Sequence, residues 1–70
     1  GSGVVVTDVE NGSPADEAGI RRGDIIKEVN REVIKNLGGY NQTMKKAIQG
    51  ESILLLIKRG RNSIYVILKP

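Results

Sequence analysis

The hydrophobic pattern divides the chain into short segments of two periodicities. Runs rich in β-branched and apolar residues predict five strands, because such residues favour extended backbone. These runs lie at residues 3–9, 24–30, 32–34, 51–59 and 62–69. Between the third and fourth runs, apolar residues recur at helical spacing and predict a helix over 37–49. Its apolar stripe would consist of Leu37, Tyr40, Met44, Ala47 and Ile48.

Helix start and stop signals place a second, shorter helix before the second strand. Ser13 is suited to cap its N-terminus, and Pro14 suits its first position. Gly19 can end it in the left-handed conformation. For the longer helix, Asn36 is the candidate N-cap, and Gly50 ends the periodic pattern. The predicted order is therefore strand, short helix, strand, short strand, helix, strand, strand.

Turn residues separate these elements. Gly23 can take a positive φ, and Asp24 can accept backbone N–H groups in the turn before the second strand. Asn30 tolerates the turn that follows that strand, and Gly60-Arg61 is typical of a two-residue hairpin loop. The continuous valines of 4–6 indicate burial on both faces of the first strand, or a central position in a sheet.

Composition limits the chemistry that the chain can perform. The 70 residues make one small domain, in which 39% of residues are hydrophobic. The sequence contains no Cys and no His, which excludes disulfides, thiolate nucleophiles, imidazole metal sites and Ser-His catalysis. Ser13 therefore has no His to act as its base. We expect no catalytic residues, no metal and no cofactor.

The charge balance admits one rival function. Eleven Lys and Arg against eight Asp and Glu give a net charge of +3, and a basic chain could bind nucleic acid. However, acidic residues interleave with the basic ones, and the aromatic platforms that stack bases are missing. The basic clusters Arg21-Arg22, Lys45-Lys46 and Lys58–Arg61 are interpreted as solvated turns or faces. We expect no nucleic-acid partner and no direct membrane insertion.

Six short motifs stand out along the chain. They are Gly12-Ser13-Pro14-Ala15, Ala18-Gly19-Ile20, Gly23-Asp24-Ile25-Ile26, Val29-Asn30, Lys58-Arg59-Gly60 and Ile64-Tyr65-Val66. Together they resemble the signature of bacterial PDZ domains, over residues 3–68. Most similar are the C-terminal PDZ domains of high-temperature-requirement (HtrA, Do-type) periplasmic serine proteases. Site-2 proteases, C-terminal processing proteases and secretion proteins carry similar modules, so the resemblance leaves the parent protein open.

The resemblance implies an α+β fold, a PDZ-like partly open β-sandwich or barrel of about five strands with two helices. We expect residues 3–70 to form this single domain, and residues 1–2 to be an expression-tag remnant. The family also has an N-terminal loop and strand that hold the carboxylate and pair with the peptide. Because only Gly1-Ser2 precede Gly3, this loop and strand are expected to be lacking, which would leave a sheet edge open for dimers or looser peptide capture.

In function, the resemblance implies a non-catalytic module that binds protein or peptide segments, with apolar C-termini among them, or that mediates homo-oligomer contacts in its parent. That parent would be a periplasmic or extracytoplasmic serine protease acting in protein quality control. The peptide would lie beside the longer helix, where Leu37, Asn41, Met44 and Lys45 are the candidate groove residues. Met44 also belongs to the predicted core stripe, and Asn41 and Lys45 could simply be solvated.

Two further readings remain open from sequence alone. The chain could be a structural domain that packs on its neighbours and binds no peptide.

The glycine pair Gly38-Gly39 lies at the start of the longer helix. It could allow close approach of a partner backbone, or it could mark a frayed first turn, because two glycines cost about 1–2 kcal/mol of helix propensity. Peptide preference and oligomeric state do not follow from the sequence.

Overall fold

A computed structural model describes residues 2–46 and 50–70 of the chain. The strands and helices follow the predicted order. They are β1 (Val4–Val5), α1 (Pro14–Ala18), β2 (Ile25–Val29), β3 (Glu32–Val33), α2 (Leu37–Lys46), β4 (Ile53–Arg59) and β5 (Asn62–Leu68).

All five strands form one antiparallel sheet. Its order is β1-β2-β4-β5, and β3 pairs with the last residues of β2. Since β4 occupies one edge of β2, the two short strands β1 and β3 share its other edge. The register between β2 and β4 shifts between Ile26 and Glu28. Such a bulge bends the strand and turns side chains on both sides of it toward one face.

One face of this sheet carries the core. Ile20, Ile26, Val29, Ile34, Leu55 and Ile57 are buried together. Both helices pack against this cluster, α1 through Ala15 and Ala18, and α2 through Tyr40 and Met44. The predicted α+β architecture, an open sheet with two helices, is confirmed.

The first strand differs from its prediction. The pattern of 3–9 predicts a strand of seven residues, buried on both faces, but β1 contains only Val4 and Val5, and Val5 is 57% exposed. Beyond Val5 the chain faces the turn before β2, where Val6 N–H donates to the Asp24 carbonyl at 2.8 Å. Because β1 pairs on one side only and has one uncovered face, alternate valines point to solvent.

The turns take the conformations that their residues favour. Asn30 and Arg31 have φ of 50° and 69° in the two-residue loop between β2 and β3. The side chain of Asn30 also accepts a hydrogen bond from Leu54 N–H at 2.9 Å, which ties the loop to β4. Gly60 has a φ of 59° in the hairpin between β4 and β5, as predicted.

Both helices begin at the predicted caps. Ser13 Oγ accepts a hydrogen bond from Asp16 N–H at 3.2 Å, and Gly19 ends α1 with a φ of 90°. At α2, Asn36 Oδ1 accepts from Gly39 N–H at 2.8 Å, so the first turn is formed despite its two glycines. The remainder of the predicted helix, including Ala47 and Ile48 of its stripe, lies outside the described residues.

Candidate functional site

One flank of α2 carries three of the four predicted groove residues. Leu37, Asn41 and Lys45 are spaced four residues apart, which places them in a line along the helix. All three are exposed, Leu37 by 59%. The prediction that Leu37 belongs to the core stripe is therefore wrong, because the packed side of α2 begins one turn later. The flank presents an apolar side chain, then an amide, then a positive charge.

The packed side of α2 holds the helix on the sheet. Tyr40 and Met44 are half-buried against the core cluster. Burial raises the pKa of the Tyr40 phenol above its usual value of 10.0. Met44, the fourth predicted groove residue, therefore packs against the core beside the exposed line.

A shallow depression lies on another side of the first turns of α2. It is lined by Val33, Lys35, Asn36, Gly38, Gly39 and Gln42. Of these residues, only Gly38 and Gly39 were considered from the sequence, as a point where a partner backbone could approach closely. Val33 follows the charged Glu32 in the two-residue strand β3 and is exposed, whereas the next residue, Ile34, is buried.

The edge of β1 begins next to this helix. Gly3 N–H donates to the carbonyl of Lys35, just before α2, over 3.4 Å. Lys27 Nζ donates to the Ser2 carbonyl at 2.7 Å and holds the same end of the chain. Among the described residues, the edge of β1 away from β2 has no strand partner. An unpaired backbone edge and the N-terminal end of α2 therefore meet at one corner, the α2 corner.

Close packing at the α2 corner requires glycine at position 3. Gly3 has a φ of 118°, which residues with a side chain rarely adopt. A Cβ here would lie 2.7 Å from Ile25 Cγ2 and 2.9 Å from the Ile26 carbonyl oxygen. The start of β1 can therefore lie this close to β2 only because the residue has no side chain.

An ion pair between a buried carboxylate and a partly exposed guanidinium forms a second corner, the Asp24 corner, where α1, β2 and β4 meet. Asp24 is 1% exposed. Arg59 donates to both of its carboxylate oxygens, from Nε at 2.9 Å and from Nη2 at 2.8 Å. Nη2 also donates to the Gly19 carbonyl at the end of α1, and Arg21 N–H donates to Asp24 at 2.8 Å.

The charges at the Asp24 corner stabilise one another. The hydrogen bonds from Arg59 lower the pKa of Asp24 below its usual value of 3.8, against the opposing effect of burial. The same bonds raise the pKa of Arg59. The sequence did not predict this pairing, but the Arg59 side chain stays 42% exposed, which agrees with the interpretation of its basic cluster as a solvated turn or face. Asp24 was expected to accept backbone N–H groups, and its bond from Arg21 confirms this.

Other kinds of site find little support in the part of the chain that the structure describes. Within residues 2–46 and 50–70, no three acidic, His or Cys side chains gather into a possible metal site. In the same residues no helix has the length and apolar character needed to cross a membrane. The α2 corner, with its free edge and exposed flank, is the candidate functional site.

Sequence comparison identifies relatives of the whole segment. A family model described as PDZ domain matches residues 5–59. A probable periplasmic serine endoprotease, DegP-like, from Chlamydia muridarum is 40% identical over 67 residues, covering 96% of this chain and 13% of that protein. The periplasmic serine endoprotease DegP of Escherichia coli is 35% identical over 69 residues, which cover 96% of this chain and 14% of DegP. The chain thus spans about one seventh of the length of these relatives.

Solved structures share the fold. The HtrA3 PDZ domain, crystallised with the phage-derived ligand FGRWV, superimposes with a TM-score of 0.83 at 28% identity, covering 99% of this chain and 64% of that one. The PDZ domain of an SdrC-like protein from Listeria monocytogenes gives a TM-score of 0.86 at 22% identity, covering 99% and 72%, and shows the fold alone. With the sequence match over most of its length, this chain belongs to the PDZ domain family.

Proposed function

We propose that this domain binds extended peptide segments along α2, as the interaction module of a periplasmic serine protease of the DegP type. Its DegP-like relatives carry periplasmic endoprotease names. The HtrA3 PDZ domain, similar in structure and sequence, holds a short peptide ligand. In its parent, the domain would tether substrate segments or contact other subunits, while catalysis would belong to another part of the protein.

The observation that carries this proposal is the geometry of the α2 corner. A free strand edge offers unpaired N–H and C=O groups to an incoming chain, and strand addition satisfies them with main-chain hydrogen bonds. These bonds are independent of peptide sequence and provide general affinity. The start of β1 meets the N-terminal end of α2 through the Gly3–Lys35 hydrogen bond, so a peptide added to this edge would run along the helix and place alternate side chains against it.

The flank of α2 would then select among peptides. Leu37 offers an apolar contact, and burying it against an apolar peptide side chain would remove hydrocarbon surface from water. Asn41 can donate to and accept from a peptide group, and Lys45 can attract a carboxylate. Met44, between this flank and the core, would form the apolar base of the contact. Strand addition needs no cofactor.

Calorimetric titration with the FGRWV peptide tests the proposal. Leu37→Lys should weaken binding by about tenfold, which corresponds to about 1.4 kcal/mol. Tyr65→Lys is the matched control, because Tyr65 is equally exposed but lies on β5, at the opposite edge of the sheet. The control should bind as the unchanged chain does. Equal loss in both variants, or no loss in Leu37→Lys, would contradict binding along α2.

A further inference from the structure

The strand β5 forms a long edge opposite β1. Its seven residues pair with β4, and no other described strand lies beside it. Edge strands in soluble proteins are usually blunted by charges, prolines, bulges or short length. The residues of β5 contain no charge and no proline, and the β4–β5 register runs without a shift from Arg59↔Asn62 to Ile53↔Leu68.

The register fixes which backbone groups of β5 are free. In an antiparallel pair, hydrogen-bonded and non-hydrogen-bonded residue pairs alternate, and the pair that closes a two-residue hairpin is bonded. Because Arg59 and Asn62 close this hairpin, the N–H and C=O groups of Ser63, Tyr65 and Ile67 point away from β4. The outer edge of β5 therefore offers these three residues for pairing.

The side chains of the same residues form an apolar surface. Tyr65 is 56% exposed and Ile67 is 47% exposed. Their partners in β4 are Leu56 and Leu54, which lie on the same face of the sheet and are only partly covered. Helix α1 stands beside the far end of β5, where Pro14, Glu17 and Ala18 line a cleft with Ile67 and Lys69.

We propose that β5 pairs antiparallel with β5 of a second copy of this chain, about a two-fold axis at Val66. This register places Tyr65 of each copy opposite Ile67 of the other, as hydrogen-bonded pairs with apolar side chains in contact. It also places Ile64 opposite Leu68 on the inner face. The sheet then continues through both copies.

We infer a second copy of this chain as the partner of the β5 edge because the strand is complementary to itself in this register. Tyr65 and Ile67 flank Val66 symmetrically, and Lys69 falls opposite Ser63. Shifting the axis to Tyr65 would instead bring Arg61 opposite Lys69, and like charges in that position are destabilising. The β1 edge, where the sequence placed dimer contacts, has only two paired residues. The β5 pairing leaves it and α2 free.

Sedimentation measurements on the 70-residue chain test this pairing. As concentration rises about a hundredfold into the range of weak association, the mean mass should climb from 7.6 kDa toward twice that value. Ile67→Pro should keep the chain monomeric, because it removes only an outward N–H and leaves the β4 ladder intact. Ile67→Val, which keeps the N–H, should still associate. Circular dichroism melts confirm that both variants are folded.

A charge exchange tests the partner and the register together. The double variant Tyr65→Lys, Ile67→Lys should not associate, and neither should Tyr65→Glu, Ile67→Glu, because each register pair then holds like charges. An equal mixture of the two should form a heterodimer. A constant mass of 7.6 kDa for the unchanged chain, or association lost in Leu37→Lys but kept in the β5 variants, would overturn the proposal while leaving peptide binding untouched.

Discussion

The Asp24 corner and the α2 corner lie on the same small sheet but treat polar groups in opposite ways. At the Asp24 corner, both carboxylate oxygens are bonded, and the guanidinium of Arg59 also closes the end of α1. At the α2 corner, a strand edge has no partner among the described residues, and Leu37 is exposed beside it. The polar groups of one corner are paired with one another, whereas the other corner keeps unpaired backbone groups and an exposed apolar side chain among the described residues.

This difference separates stability from binding. Removing a bonded, buried group leaves its partners unsatisfied and lowers the free energy of unfolding. Removing an exposed group on the α2 flank leaves the folded chain almost unchanged but takes a contact from the peptide. Substitutions at the two corners should therefore give opposite profiles of stability and affinity.

The largest expected effect is at the Asp24 corner. Asp24→Ala removes the charged acceptor of the hydrogen bonds from Arg59 and from Arg21 N–H, and should lower the free energy of unfolding by about 3 kcal/mol. Urea unfolding measures this change. Asp8→Ala, which removes an exposed carboxylate, serves as the control and should be close to neutral. A loss below about 1 kcal/mol in Asp24→Ala would mean that this corner behaves like a surface ion pair.

A smaller loss is expected from the packed side of α2. Tyr40→Ala removes a half-buried ring from the contact between the helix and the core, and should lower the free energy of unfolding by about 2 kcal/mol. Peptide affinity should fall as well, because the helix loses its anchor. An unchanged melting temperature would show that Met44 alone holds α2 on the sheet. It would contradict the assignment of Tyr40 to the stabilising side of the helix.

Lowering the pH should reduce the free energy of unfolding by less than Asp24→Ala does, because it protonates the Asp24 carboxylate without removing it. Because the pKa of Asp24 is lowered in the folded chain, the unfolded chain takes up a proton first as the pH falls. The contribution to stability is thus complete above roughly pH 5 and is lost below the unfolded pKa. Urea unfolding of the unchanged chain and of Asp24→Asn across this range should show a steeper acid loss in the unchanged chain. An equal pH dependence of the free energy of unfolding in both chains would contradict the ion pair between Asp24 and Arg59.

The smallest effect on stability is expected at the α2 flank. Leu37→Ser should change the free energy of unfolding by less than about 0.5 kcal/mol, since the side chain is mostly exposed, yet it should reduce peptide affinity. Thermal melts and calorimetric titration on the same sample provide both values. If Leu37→Ser instead lowered the free energy of unfolding strongly and left peptide affinity unchanged, Leu37 would stabilise the fold and would not bind the peptide.

Local features of the sequence were sufficient to predict most of the fold. Caps such as Ser13 and Asn36 act within one helical turn, and Asn30 and Gly60 favour their own turn conformations, so these positions could be predicted without knowing the tertiary structure. The helical period likewise placed Leu37, Asn41 and Lys45 on one flank.

The missed features depend on distant partners. Val5 is exposed because β1 lies at an edge, and the valine run carries no information about which side is covered. Arg59 pairs with a residue 35 positions earlier, so a charged run gave no hint of it. The register Ile25↔Lys58 brings the preceding and following residues, Asp24 and Arg59, together, so the ion pair could be found once strand pairing was known.

Amide chemical-shift mapping during titration with FGRWV tests the central claim most directly. If the peptide adds to the α2 corner, the largest shifts should fall on residues 3–6 along the β1 edge and on 37–45 of α2, with the Asp24 corner and β5 unchanged. Largest shifts along β5, or shifts that follow the basic clusters and vanish in salt, would contradict peptide binding at the α2 corner.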